Sequence, residues 1–187
     1  DSELKDNNHG LEQSGGTTTV TRGAIRFSAR NGVSLSTGTL QMASSEVFRN
    51  GMSGIEAKGS SSVLRLEDTK VRNNADPSVP DPVAGLVLEN NVKVESISGC
   101  QFLGNYPTQI RVKTSSPWTL DLSAPGCPSQ NVVGCYPSAA TGVQVVGDVT
   151  LKISNTAWPT NPPNVPIDYP AANVTVAPTC PGPPVCN

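Results

Sequence analysis

The residues that could do acid–base chemistry are spread along this chain. Glycoside hydrolysis needs two carboxylates within about 10 Å of each other. The aspartates, however, stand in unrelated contexts: Asp6, Asp68, Asp76, Asp81, Asp121, Asp148 and Asp168. Asp76 and Asp81 share a loop, where flanking prolines favour a solvated turn. The single histidine, His9, is predicted to be an exposed loop residue. We therefore expect no catalytic residue, metal or cofactor.

Four of the five cysteines lie in two pairs whose members are close together in the sequence. Cys127 and Cys135 bracket one short loop that contains Pro and Gly, and Cys180 and Cys186 bracket another near the C-terminus. Neither pair has a second Cys or His pair that would complete a four-ligand metal site, so we expect a disulfide in each loop. The other two pairings of these four cysteines remain open. Disulfides predict an oxidising compartment and hence a secreted or surface protein.

Cys100 differs from the other cysteines because it lies inside a repeated pattern. It stands where Ser2 and Thr69 stand in other repeats. We expect a small buried residue there, with a reactive thiol as the alternative.

One sequon for N-linked glycosylation is present, Asn173-Val174-Thr175, in a proline-rich context. Such a sequon in an exposed segment predicts a glycan on Asn173, and the surrounding threonines could carry O-linked sugar.

A short apolar-polar-apolar phrase opens each of several successive cycles. The openings are 30, 31, 24 and 33 residues apart, the range expected of a solenoid, and begin at Ile25, Ile55, Leu86, Ile110 and, more weakly, Val143. We predict that these five residues stack in one core ladder. A second alternating phrase within each cycle has the period of a half-buried strand.

A corner phrase also recurs, in which Asn or Gly follows three places after an apolar residue. Asn and Gly tolerate the left-handed backbone that a tight corner requires. The predicted corner ladder is Asn7, Gly51, Asn74 and Asn105.

These patterns together resemble the right-handed parallel β-helix superfamily, the pectate-lyase-like solenoids. The resemblance covers residues 1 to about 155 and implies an all-β, right-handed parallel β-helix of about five rungs. Enzymes of that superfamily cleave polysaccharides with clustered carboxylates, with or without calcium. Here Glu56 and Glu89 fall in different outward columns, and no catalytic string of the superfamily is present.

The composition suits a thin solenoid followed by an irregular tail. Of 187 residues, 36% are hydrophobic and 4% aromatic, which favours a narrow aliphatic core. We predict a β-helix over residues 1–157, the C-terminal part of a longer solenoid because Asp1 falls inside a repeat phrase. Nine prolines between Pro159 and Pro184 predict an extended, disulfide-clipped tail over residues 158–187.

The charge and hydropathy exclude two classes of partner. A net charge of −2 offers no basic stripe for nucleic acid, and no apolar run is long enough to span a membrane.

We expect an extracellular structural protein, a stiff rod in a fibre, wall or surface appendage that displays glycans. Copies would form a homo-oligomer or filament by strand addition or tail contacts, through Val143–Ile153 and Val174–Val176. The alternatives are a carbohydrate-active β-helix protein, a polysaccharide lyase or hydrolase, and an adhesin-like carbohydrate-binding module that uses the loop at 76–82.

Overall fold

A computed structural model describes residues 2–76, 78, 84–126, 129–134, 141–158, 173–176 and 180. The described residues form parallel β-strands and no α-helix. The strands are β1 (Ser2–Lys5), β2 (Leu11–Thr21), β3 (Gly23–Arg26), β4 (Val33–Ala43), β5 (Glu46–Phe48), β6 (Ile55–Lys58), β7 (Ser62–Glu67), β8 (Lys70–Arg72), β9 (Ala84–Glu89), β10 (Lys93–Ser98), β11 (Gln101–Leu103), β12 (Thr108–Lys113), β13 (Trp118–Asp121), β14 (Asn131–Gly134), β15 (Thr141–Val146), β16 (Val149–Ile153), β17 (Thr156–Ala157) and β18 (Asn173–Val176).

The strands form three sheets whose order shows a coiled chain. Sheet 1 has the order β1-β3-β5-β8-β11-β14-β17, sheet 2 has the order β10-β7-β4-β6-β9-β12-β15 with β2 on β4, and sheet 3 has the order β13-β16-β18. Paired strands lie one cycle apart in sequence and are parallel, as between β3 and its neighbours β1 and β5. This all-β, parallel arrangement is compatible with a β-helix or solenoid.

The core is a column of aliphatic side chains between the sheets. Strands β4, β6, β9, β12 and β15 align one residue each in register: Val33, Ile55, Leu86, Ile110 and Val143. Each of these side chains is at most 3% exposed. The structure thus brings together four of the five residues predicted for the core ladder.

Ile25 lies elsewhere, and Val33 takes its predicted place. Ile25 belongs to sheet 1, where it pairs with Leu4 and Val47. Strand β3, which contains Ile25, and the first residues of β4 both show apolar alternation. The sequence pattern alone therefore does not distinguish the two strands. Ile25 is still buried in the same core.

Two features concern the C-terminal half of the fold. Residues Asn173–Val176, predicted to lie in an extended tail, pair with Thr150–Ile153 of β16 in sheet 3. β10 is one edge strand of sheet 2 and β13 is one edge strand of sheet 3. These two strands are not paired, and a cavity of about 320 Å³ lies between them.

Within the described ranges, no helix has the length and apolarity needed to cross a bilayer.

Candidate functional site

A column of buried amides joins successive cycles at the corner after sheet 1. Asn50, Asn74 and Asn105 are each at most 2% exposed. The Nδ2 of Asn50 donates to Oδ1 of Asn74 at 2.9 Å, and the Nδ2 of Asn74 donates to Oδ1 of Asn105 at 3.0 Å. Gln109 continues the column, because its Oε1 accepts from Nδ2 of Asn105 at 2.8 Å.

Each amide also binds the backbone of the cycle before it. The Nδ2 of Asn74 donates to the Val47 carbonyl, and the Nδ2 of Asn105 donates to the Val71 carbonyl, both at 2.9 Å. The Oδ1 of Asn74 accepts from the backbone N–H of Asn50 at 3.2 Å. The column therefore satisfies buried polar groups that the corners would otherwise leave unpaired.

Two of the predicted corner positions need comment. Asn50, not Gly51, occupies the column, because Val47 rather than Phe48 pairs with Val71 and so sets the register one residue earlier. Asn7 lies at the equivalent position in the first cycle by register but is exposed. Gln109 was missed because it follows Asn105 in the same cycle and breaks the repeat.

A charged groove of about 390 Å³ lies on the outward face of sheet 2. We define this charged groove by its lining residues: His9, Arg30, Asn31, Ser34, Met52, Glu56, Lys58, Glu89, Arg111 and Lys113. His9, expected in an exposed loop, lines it with a side chain that is only 20% exposed, and its Nε2 lies 3.5 Å from Oε1 of Glu12.

Lys58 is the electrostatic centre of the groove. Its Nζ lies 3.0 Å from Oε1 of Glu56 and 3.7 Å from Oε2 of Glu89. Burial alone would lower the pKa of Lys58, but the two carboxylates outweigh it and raise that pKa above its usual value. The sequence separates Glu56 and Glu89 into different columns, and the register agrees. The structure nevertheless places them on either side of one ammonium group.

This arrangement is an ion-pair network that a neighbouring amide extends. Asn31 Nδ2 also donates to Oε2 of Glu56 at 2.9 Å, so that carboxylate is engaged twice. In the described part of the chain, no three His, Cys, Asp or Glu side chains are grouped so that they could hold a metal ion.

A second polar surface lies on the outward side of sheet 1, and we call it the Arg–Phe cluster: Arg26, Phe27, Phe48, Arg49 and Arg72. The two rings meet edge to face with centroids 6.2 Å apart. The guanidinium carbons of Arg26 and Arg72 lie 5.6 and 4.7 Å from the Phe48 centroid. Arg26 also pairs with Glu3, and Arg72 with Glu46. Nothing in the sequence repeat pointed to this cluster.

Cys100 is a free, fully buried thiol in the column predicted for it. It aligns with Thr69, Ser45, Gly23 and Ser2 across sheet 1. Burial raises the pKa of the Cys100 thiol to about 12, and its Sγ lies 3.4 Å from the Ser98 carbonyl oxygen. A reactive role for this thiol does not fit such an environment, because the thiolate is the reactive species.

The other predicted cysteines and the sequon are only partly described. Cys180 is buried, whereas Cys127, Cys135 and Cys186 lie outside the described residues, so the two-disulfide pairing stays a prediction. Asn173 is exposed at the start of β18, as a glycan acceptor must be, and its glycosylation also stays a prediction. The loop at 76–82 falls largely outside the described residues.

Thiol counting tests the cysteine assignments. We expect a chromogenic thiol reagent to detect no thiol in the native chain, because Cys100 is buried and un-ionised at neutral pH. In denaturant without reductant, one thiol per chain should react. Five reacting thiols, the full cysteine content, would contradict the predicted disulfides, and rapid native reaction would contradict the buried environment of Cys100.

Comparison of the chain with family models, with curated proteins and with solved structures finds no match.

Proposed function

We propose that the chain is an extracellular structural protein, a right-handed parallel β-helix of about five rungs that acts as a stiff rod. The rod would form part of a fibre, wall or surface appendage. The observation that carries this proposal is the continuity of sheet 1, whose seven strands run without a break from Ser2 to Ala157.

Stiffness follows from the way neighbouring cycles are joined. Sheet 1 links them by main-chain ladders, and the buried amides of Asn50, Asn74 and Asn105 add side-chain bonds along the same axis. Sliding one cycle past the next would break several of these bonds at once and leave buried groups unpaired. A rod of this kind bears load without any chemistry.

Open strand edges support the proposal that copies associate end to end. In the described part of the chain, β15 is the last strand of sheet 2 and β18 the last strand of sheet 3. An edge strand presents unpaired N–H and C=O groups that a strand of a second copy can complete. β15 and β16 span the predicted contact segment Val143–Ile153, and β18 spans Val174–Val176.

Electron microscopy of the purified full-length chain, together with sedimentation at several concentrations, tests this function. We expect narrow rods that join end to end, with a fraction of oligomer that rises with concentration. Globular particles that stay monomeric at all concentrations would contradict the rod and its assembly. Mass spectrometry of native material tests the proposed glycan on Asn173 in the same sample.

The charged groove supports one alternative, a carbohydrate-active protein that acts on acidic polysaccharide. The observation in its favour is the pair of carboxylates, Glu56 and Glu89, that flank Lys58 in a groove of about 390 Å³. A screen of uronate polymers with and without calcium separates the two functions. If the protein is structural, we expect no change in polymer length. Cleavage of the polymer by the parent chain that is lost in Glu56→Gln would establish the alternative.

A further inference from the structure

The corner after sheet 1 has left-handed backbone in five successive cycles. The residues there have φ between 52° and 63°: Asp6, Phe27, Arg49, Asn73 and Gly104. Gly, Asn and Asp adopt this conformation readily, whereas a large side chain is strained in it. Phe27 and Arg49 therefore occupy positions where neighbouring cycles place better suited residues. A strained residue that the fold does not require is a starting point for a functional hypothesis.

The strained residues do not serve the core, because both point outward. Phe27 is 39% exposed, and Arg49 is exposed as well. The guanidinium of Arg49 lies 6.0 Å from the Phe27 centroid, and that of Arg26 lies 5.0 Å from it. The strain therefore maintains an exposed ring between two arginines.

The surface around the cluster is positive although the chain as a whole is negative. On the outward side of the first four strands of sheet 1 and at its corner, five cations stand beside three carboxylates: Lys5, Arg26, Arg49, Lys70 and Arg72 beside Glu3, Asp6 and Glu46. Arg26 and Arg72 meet Glu3 and Glu46 through Nε, and their side chains remain about one-third exposed. This excess of positive charge favours an anionic ligand.

The cluster also has the form of a linear site. Arg26, Phe48 and Arg72 occupy one outward column on three neighbouring strands, which follow one another at about 4.8 Å. An extended polymer that lies along the axis would meet two guanidinium groups in turn, with the half-buried Phe48 ring packed between them and the more exposed Phe27 ring beside them at the corner. Guanidinium groups bind carboxylate or sulfate through bidentate hydrogen bonds, and the apolar face of a sugar ring packs on an aromatic ring.

We propose that the Arg–Phe cluster binds a linear acidic polysaccharide, along sheet 1 and away from the charged groove. A lipid surface is less well matched, because in the described chain Leu4 and Phe27 are the only large apolar side chains that are strongly exposed. The site would attach the rod to an anionic extracellular matrix. It does not depend on the rod function, since a monomeric chain would carry the same cluster.

The test is affinity electrophoresis of the full chain in gels that contain heparin, polygalacturonate or neutral dextran. We expect retardation by at least one acidic polymer, a decrease with added salt and no retardation by dextran. Heparin and polygalacturonate distinguish a sulfated from a carboxylated ligand. Phe27→Asn and Arg49→Asn should each weaken binding about tenfold, the effect of one lost charge-assisted or stacking contact.

The asparagine variants separate a binding role from a structural one. Asn73 stands at the same corner position in a later cycle, so Asn fits there, and both variants should melt at or above the temperature of the parent chain. Lys152→Gln, which removes an exposed cation on sheet 3, should bind as the parent does. Wild-type affinity in both asparagine variants would overturn the proposal, as would failure of the parent to bind either acidic polymer. Binding to phosphatidylserine vesicles but to neither polymer would overturn it in favour of a lipid surface.

Discussion

Replacing Asn74 by alanine should lower the free energy of unfolding by about 4 kcal/mol. The Asn74 amide makes four hydrogen bonds in a fully buried position, two through Oδ1 and two through Nδ2. Their loss takes the Oδ1 acceptor from the backbone N–H of Asn50 and a donor from the Val47 carbonyl, whereas Asn105 Oδ1 keeps the backbone N–H of Asn74. Each buried group left unsatisfied costs about 1–3 kcal/mol. Urea unfolding followed by circular dichroism measures the change.

Asn7→Ala is the matched control for this substitution. Asn7 occupies the same register position in the first cycle but is exposed, so its replacement should change the unfolding free energy by less than about 0.5 kcal/mol. Equal effects of the two substitutions would show that burial within the amide column does not stabilise the fold.

Alkaline conditions should destabilise the chain through Cys100. Burial raises the pKa of this thiol from its ordinary value of 9.0 to about 12, so the folded state holds the proton more tightly than the unfolded state does. The associated stability is fully present below about pH 9 and is lost as the pH rises towards 12. The three-unit difference corresponds to about 4 kcal/mol in total, of which about 2 kcal/mol is lost by about pH 10.5.

Cys100→Ser isolates this effect from the titration of lysines and tyrosines. Serine fits the site, because Ser45 and Thr69 occupy the same column, and its hydroxyl does not ionise in this range. The unfolding free energy of the parent, measured relative to that of the variant, should therefore fall by about 2 kcal/mol between pH 8 and about pH 10.5. A difference that does not vary with pH would contradict the buried, un-ionised thiol.

The sequence predicted the core best where one face of a strand is apolar. Ile55, Leu86, Ile110 and Val143 were aligned from alternation alone, and they pair in register. Ile25 was misplaced because two strands of each cycle carry the same alternation. Alternation gives the face of a strand but not the sheet to which the strand belongs.

The corner was predictable in kind but not in detail. Asn74 and Asn105 were found because Asn tolerates left-handed backbone, yet the residues with positive φ are their predecessors, Asn73 and Gly104. The column residues serve instead as buried hydrogen-bonding amides. Gly85 permits this packing, because a Cβ there would lie 2.4 Å from Nδ2 of Asn105. Such a constraint is visible only once cycles are stacked.

The surface sites could be predicted from the repeat only in part. The repeat aligns Lys58 with Glu89 of the next cycle, and the two residues pair in register, but the charged groove also takes residues that no repeated position marks, such as His9 and Arg30. The Arg–Phe cluster likewise combines residues from three cycles. A periodic pattern identifies what each cycle shares, whereas these sites are made of what each cycle does not share.

The separation of β10 from β13 makes the molecule mechanically one-sided. Sheet 1 is continuous past this level, and β9 and β12 remain paired in sheet 2. Among the described strands, only β10 and β13, which border the cavity between Val92 and Leu120, lack a pairing there. Flexing that widens this seam costs no ladder hydrogen bond, whereas flexing in the opposite sense strains two intact ladders. If the chain forms the proposed rod, that rod should therefore bend more easily in one direction, and a load applied along its length should curve it towards one side.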